Sequence, residues 1–304
     1  MAAEARARFS HPRHWPSWLG IAFLRALALL PLPLLAAVGR SFGLFLYALP
    51  TSRRRVVRVN IERCFPALSR SQQRRIVRRH FAAFGQTLLD VAVAWWGGPR
   101  RLRRLVRFRD RRHYDEALAA GRNVILLAPH FLGLEMGGNR ISMETPLVSV
   151  FRHPDNELLR AVMLRARTRF GAQLIEHNKP FTSLVRAVKA GTPLYYLPDQ
   201  DAGRRHSVFA PFFGIPAATF TALSRLARMT DAVVLPCVTY QRSWGRGYEV
   251  VFQPPLENFP TDDAAADTAR MNAAIERAVR VHPEQYFWLH KRFKTRPEGE
   301  PRFY

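Results

Sequence analysis

In the run Leu127-Ala128-Pro129-His130-Phe131-Leu132-Gly133-Leu134-Glu135, an apolar stretch ends at a proline and delivers a histidine, and a carboxylate follows five residues later. On one continuous helix that separation is a rotation of about 140°, so the two side chains would not meet. If His130 instead occupies the turn before a helix and Glu135 its first turn, the carboxylate can swing back to the imidazole. It would then fix the tautomer and stabilise the imidazolium, leaving the other ring nitrogen as a general base. A capping histidine or an ordinary surface pair explains the spacing too. Placement at the carboxyl end of a strand, where open α/β sheets build their sites, puts the catalytic reading level with that bland one. Other familiar chemistry is missing from the sequence: there is no Gly-x-Ser-x-Gly elbow, no phosphate-binding Gly-x-x-x-x-Gly-Lys-Ser/Thr loop and no His-Glu-x-x-His. Cys64 and Cys237 are far apart without Cys-x-x-Cys spacing, so neither a disulfide framework nor a thiolate metal site is indicated, and a reducing compartment fits best. No metal or organic cofactor is implied.

The elements that must hold this pair follow from the patterning. After Gly121, short apolar runs at 124–128, 147–151, 194–197, 233–238 and 248–252 alternate with helical patterns near 133–144, 155–170, 180–190, 218–230 and 262–281. That alternation predicts an α/β fold with a central, largely parallel or mixed sheet flanked by helices. Ser243-Trp244-Gly245-Arg246-Gly247 reads as a hairpin turn, so its Gly-x-Gly is no nucleotide fingerprint. Upstream, Ser69 with Gln72 three residues later forms a capping box for a helix within 66–97. Val77, Phe81, Phe84, Leu88, Val91 and Trp95 mark its buried face, and Arg74, Arg75, Arg78 and Arg79 crowd its first turns against the favoured sign.

Charge and hydropathy locate a second feature. With 47 Lys+Arg against 23 Asp+Glu the formal charge is +24, while 48% of residues are hydrophobic and 12% aromatic, a combination that excludes a disordered chain. Only four of the cations are lysines, so arginine bias in the coding genome accounts for part of the charge. It does not account for the placement: residues 1–110 hold 21 Arg and four acidic residues, a surplus of 17 that leaves 7 for the remaining 194 residues. Within that basic region, residues 18–49 are rich in Leu, Ala and Phe, and residues 26–38 are uncharged. Thirteen residues fall short of the roughly 20 a spanning helix needs. No small-residue cleavage site supports a signal peptide. Trp15 and Trp18 at the entrance, Arg6, Arg8 and Arg13 before it and Arg53, Arg54 and Arg55 after it suit a segment embedded in or lying on a membrane. A buried hairpin broken at Leu30-Pro31-Leu32-Pro33 is the competing structure. The expected division is a membrane-attachment segment at 1–52 and a catalytic domain at 53–304. A nucleic-acid-binding protein would interleave cations with stacking aromatics and lack the apolar segment, so no nucleic-acid partner is expected.

His-x-x-x-x-Glu behind an apolar strand resembles the signature of the late acyltransferases of lipid A biosynthesis, relatives of the glycerophosphate acyltransferases with His-x-x-x-x-Asp. The resemblance extends to Phe151-Arg152-His153-Pro154-Asp155-Asn156, Leu197-Pro198-Asp199-Gln200-Asp201-Ala202-Gly203, Pro211-Phe212-Phe213-Gly214-Ile215-Pro216 and the long block from His282 to Pro297. It implies an acyl donor on acidic acyl carrier protein, a phosphorylated glycolipid acceptor, and work on the cytoplasmic face of an inner membrane. Another glycolipid or a lysophospholipid is the alternative acceptor. It further implies that His130 deprotonates a hydroxyl of a 3-hydroxyacyl chain, that Glu135 holds the histidine, and that no covalent acyl-enzyme forms, which fits the lack of a serine or cysteine in a nucleophile context. Asp199 ends the 194–197 run, on the same sheet edge as His130 if the strands are parallel. By resemblance it has a substrate-site role, with turn or helix capping as the alternative for it and Asp201. Arg169 and Arg152 are the candidate substrate contacts, guanidinium being suited to phosphate. Met136 and Phe131 are the candidates for limiting acyl-chain length, with core packing as their competing role.

Overall fold

The computed structural model describes Phe9, residues 11–205 and residues 207–304. Arg6 and Arg8 of the expected basic flank lie outside the described residues. Four helices come first: α1 (Trp15–Leu27), α2 (Leu32–Ala48), α3 (Ser52–Cys64) and α4 (Arg70–Trp96). Pro31 ends the break between α1 and α2 as the N-cap of α2, a place where its missing N–H costs nothing. The capping box of α4 is present, with Ser69 Oγ accepting from the Gln72 N–H at 3.3 Å and Gln72 Oε1 accepting from the Ser69 N–H at 2.8 Å. Val77, Phe81 and Trp95 of its predicted face are buried; Phe84, Leu88 and Val91 are more open because they line a cavity.

The α/β part continues with α5 (Pro99–Leu105), β1 (Val106–Arg109), α6 (Arg112–Ala119), β2 (Asn123–Leu127), α7 (Leu134–Ser142), β3 (Val148–Phe151), α8 (Glu157–Thr168) and β4 (Gln173–Glu176). Then come α9 (Phe181–Lys189), β5 (Leu194–Tyr196), β6 (Ser207–Phe212), β7 (Ile215–Phe220), α10 (Ala222–Thr230), β8 (Ala232–Gln241), β9 (Tyr248–Phe252) and α11 (Ala264–Val281). Seven strands form one mixed sheet in the order β1-β9-β8-β2-β5-β3-β4, antiparallel only between β8 and β9, whose connecting turn is the predicted one. Strand β2 feeds both cores: Ile125 and Leu127 pack on one face, Val124, Leu126 and Ala128 on the other. That is why its sequence is a continuous apolar run.

The sequence pattern did not foreshadow β1, β4 or the β6–β7 hairpin. β1 and β4 are four-residue edge strands with charged or polar members, too short for a clear period. In the hairpin, Phe213 (φ 53°) and Gly214 (φ 74°) make a two-residue turn with both residues left-handed. β7 therefore runs through residues 218–220, where a helix was expected, and α10 starts at Ala222.

Helix α2 crosses α4 almost in backbone contact. A Cβ on Gly43 would lie 2.0 Å from the Phe81 carbonyl oxygen, and one on Gly85 would lie 2.2 Å from that of Gly39. Leu32, Leu35 and Ala36 are buried by this packing, whereas Leu34, Val38, Phe42, Phe45 and Leu49 are exposed, as are Trp15, Trp18, Leu19 and Phe23 of α1. The hairpin is thus not fully buried. No single helix among the described residues is long and apolar enough to cross a membrane, and the pair α2 and α3 is bent by 91°.

Candidate active site

Strands β2 and β5 pair in parallel with Leu127 opposite Tyr196, and each continues into a residue, a proline and a polar side chain. The register therefore brings His130 and Asp199 together. Asp199 Oδ1 lies 2.7 Å from His130 Nδ1, and Asp199 Oδ2 accepts the His130 backbone N–H at 2.9 Å. Burial alone would raise the Asp199 pKa, but the His130 charge and these hydrogen bonds hold it below the usual carboxylate value. An ionised carboxylate can only accept, so Nδ1 donates to it, and in the neutral ring Nε2 keeps its lone pair.

The C-terminal block clamps this loop. The Phe287 N–H donates to the His130 carbonyl at 2.8 Å, the Leu132 N–H to Gln285 at 2.9 Å, and the Tyr286 hydroxyl to the Asp199 carbonyl at 3.3 Å. Asp201 ties down the next turn, accepting from the Thr295 N–H and hydroxyl at 2.8 and 2.9 Å.

Glu135 sits in the first turn of α7, as expected, but no hydrogen bond or ion pair joins it to His130. Its Oε1 accepts from the Trp95 indole at 2.9 Å and from Arg167 Nε at 2.8 Å, and its Oε2 from Arg167 Nη2 at 2.8 Å. A two-pronged guanidinium and an indole thus satisfy the Glu135 carboxylate, and the imidazole partner in this structure is Asp199, not the expected Glu135. Arg167 is half-buried, which would lower its pKa, yet Glu135 raises it above the usual arginine value. Helix α7 can lie this close to β8 because Gly137 faces Thr239; a Cβ there would meet Thr239 Oγ1 at 1.9 Å.

Two cavities of about 280 and 270 Å³ meet at His130, Leu134, Glu135 and Arg167. Apolar residues of α4, with Phe131 and Met136, line the first, and Asp90 and Tyr248 also contribute to it. Burial pushes the Asp90 carboxyl up to about 6 against the hydrogen bonds from Tyr248 and Gln86. Val150, Phe151, Leu174, Tyr195 and Leu197 line the second cavity, with exposed Arg152 among them. Arg169 lines neither: its Nη2 donates to the Ala94 carbonyl at 2.8 Å and its guanidinium stacks on Phe170, because its direction on the last turn of α8 points it at the end of α4. Met136 and Phe131 are both buried, and Phe131 packs edge-on against Tyr240 and Tyr286. Sequence reasoning did not single out Arg167 or Trp95 and did not pair Asp199 with His130. The repeated strand-x-Pro-polar pattern of Ala128-Pro129-His130 and Leu197-Pro198-Asp199 was the signal that pairs the two.

Residues 3–295 match the sequence profile described as bacterial lipid A biosynthesis acyltransferase. The lipid A biosynthesis lauroyltransferase of Escherichia coli (strain K12) is 36% identical over 295 residues, covering 97% of this chain and 96% of the relative. The palmitoleoyltransferase of the same organism is 33% identical, with 97% and 96% covered, and its myristoyltransferase is 31% identical, with 96% and 91% covered.

Proposed function

The chain belongs to the bacterial lipid A biosynthesis acyltransferase family, and from that premise we propose a direct acyl transfer in which His130 is the general base and Asp199 its orienter. The observation that carries this reading is His130, held from behind by buried Asp199, in the wall shared by two largely apolar cavities. One cavity takes the acyl chain of a thioester donor on acyl carrier protein, the other the 3-hydroxyacyl chain of a phosphorylated lipid A precursor. Each buried CH₂ contributes about 0.8 kcal/mol, so both chains are held by burial while their reacting ends meet at Nε2.

Nε2 takes the proton of the acceptor hydroxyl as its oxygen attacks the thioester carbonyl. The tetrahedral intermediate then collapses, the C–S bond breaks, and the imidazolium returns the proton to the departing thiolate. Asp199 holds the ring and stabilises its cationic form. Glu135 does not touch the ring; it fixes Arg167 through two hydrogen bonds, which leaves Arg167 Nη1 without a partner among the described residues at the junction of the cavities. That fixed cation stabilises the oxyanion. Arg152, at the rim of the second cavity, contacts the acceptor's polar head.

Residues 1–52 attach the enzyme to the cytoplasmic face of the inner membrane. The exposed apolar side chains of α1 and α2 support a pair of helices lying in the interface. The test is mass spectrometry of lipid A from a host lacking its own late acyltransferases. Wild-type protein should add one acyl chain and His130→Ala none; full addition by a folded His130→Ala protein refutes the assignment.

A further inference from the structure

Helices α2 and α4 enclose a cleft of about 570 Å³ on the flank of the molecule. Arg40 from α2 and Arg75, Arg78 and Arg79 from α4 line it, together with Trp244 from the β8–β9 turn. None of these four arginines makes a hydrogen bond or ion pair with any described residue, and among the described residues no carboxylate lines the cleft. Four guanidinium groups line one cleft, and although Glu284 interacts electrostatically with Arg79, the surplus of positive charge there suits an external anion.

Trp244 is the second unusual feature. It is 79% exposed and has φ 58°, a left-handed backbone that costs a non-glycine residue energy. The turn is pressed onto α2 so closely that a Cβ on Gly245 would lie 2.7 Å from Pro33 Cα. The fold thus holds a large aromatic side chain in solvent beside the four arginines. At α2 itself, the cleft-lining residues Ala37, Arg40 and Leu44 and the exposed Leu34, Val38, Phe42 and Phe45 occupy neighbouring faces at helical spacing. A cationic strip, an exposed indole and an apolar face side by side suit the headgroup level of a bilayer and not a soluble acidic protein, which would leave the apolar face in water.

We propose that this cleft binds the phosphate of an anionic phospholipid headgroup and so seats the apolar face of α2 on a negatively charged membrane. A second cleft, lined by Arg54, Arg55, Arg58, Arg70 and Arg74 with Glu62 paired to Arg58, extends the same mostly basic strip toward the start of α4. The proposal rests on the membrane-lying reading of α1 and α2 but not on the chemistry at His130, and the two are tested separately.

The experiment uses the full chain and two sets of vesicles, phosphatidylcholine alone and phosphatidylcholine mixed with phosphatidylglycerol. Each basic residue near an anionic surface is worth roughly a fivefold change in partitioning, so the combined Arg75→Gln, Arg78→Gln, Arg79→Gln variant should bind the anionic vesicles roughly a hundredfold more weakly. Its binding to phosphatidylcholine and its acyl transfer in detergent micelles should match wild type. The same charge removed from exposed Arg186, Arg277 and Arg302 should have a much smaller effect. Trp244→Ala should lose part of the fluorescence blue shift that anionic vesicles induce. Equal losses in the two triple variants, or a wild-type protein indifferent to phosphatidylglycerol, overturns the proposal. So does a rise in acceptor KM in micelles, which would assign the cleft to the substrate's own phosphate. Wild-type protein that binds neither vesicle refutes the membrane-lying reading itself.

Discussion

Replacing Asp199 by Asn changes one atom and tests the orienting role directly. In the native site both carboxylate oxygens accept, Oδ1 from the imidazole Nδ1–H at 2.7 Å and Oδ2 from the His130 backbone N–H at 2.9 Å. An amide has one accepting oxygen. If it keeps the backbone N–H, its NH₂ group faces Nδ1 and forces the proton onto Nε2, where the base must be free. If it keeps the ring N–H, two buried N–H groups oppose each other, which costs about 1–3 kcal/mol. The first arrangement relieves that clash, so Asp199→Asn should lower kcat by roughly 10² to 10⁴, the usual contribution of general-base catalysis, with KM little changed. Steady-state transfer from an acyl carrier protein thioester to a defined lipid A precursor measures this, with thermal unfolding run alongside. The native Asp199 pKa is depressed, so its contribution to stability is present above the ordinary carboxylate range and is lost as pH falls through the folded value. The Asn variant should therefore lose less stability than wild type on acidification. A folded variant retaining more than about a tenth of wild-type kcat would refute the orienting role, since the expected loss is at least tenfold greater.

Glu135→Gln removes the charge that fixes Arg167 and should lower kcat by roughly ten- to a thousandfold, the scale of losing a preorganised oxyanion donor. An unchanged kcat in a folded variant would remove Arg167 from oxyanion stabilisation. Burial raises the Asp90 pKa to about 6 from the ordinary aspartate value of 3.8, so the native state holds a proton that the unfolded chain releases, and stability falls as pH rises between those values. Asp90→Asn keeps an acceptor for Tyr248 and Gln86 and should gain stability relative to wild type across that window, by at most about 3 kcal/mol; chemical denaturation at acid and neutral pH measures the difference. Met136→Ala enlarges the first cavity and should favour longer donors by roughly tenfold for two added methylenes, read from competition between donor chain lengths. An unchanged ratio in an active variant removes Met136 from the pocket wall. Gly43→Ala should lower Tm, because the added methyl meets the Phe81 carbonyl at 2.0 Å and the helices must separate.

The α/β alternation, the mixed sheet and the strand-tip histidine were legible because β2, β3, β5, β8 and β9 are apolar runs bounded by turn residues and helices. What was hidden depends on which strands become neighbours. Sequence proximity pointed His130 at Glu135, five residues away, whereas strand pairing points it at Asp199, 69 residues away. Arg167 was lost among alternating arginines at 165, 167 and 169, where direction on the final turn of α8 decides which guanidinium faces the site and which packs against α4. Edge strands β1 and β4 carry charges that keep them from pairing further, and the same charges erase their apolar signal. The long C-terminal block was conspicuous as a motif, but its physical task became clear only from the backbone hydrogen bonds that brace the His130 loop.

The glycine crossing of α2 and α4 has a mechanical consequence. Helix α4 has 27 residues and so is a rod of about 40 Å, clasped near its middle by α2 and carrying in its last turn Trp95, which holds Glu135. Backbone-to-backbone contact at Gly39, Gly43 and Gly85 leaves no side-chain layer to deform, so the two helices move as one piece. An enzyme seated on a bilayer through α2 would then carry its cavity mouth at a set height above the acyl chains, as a keel sets the draught of a hull. Substrate lipids would have to rise by one fixed distance to reach His130, and a bulkier residue at the crossing would alter that distance without touching any group at the site.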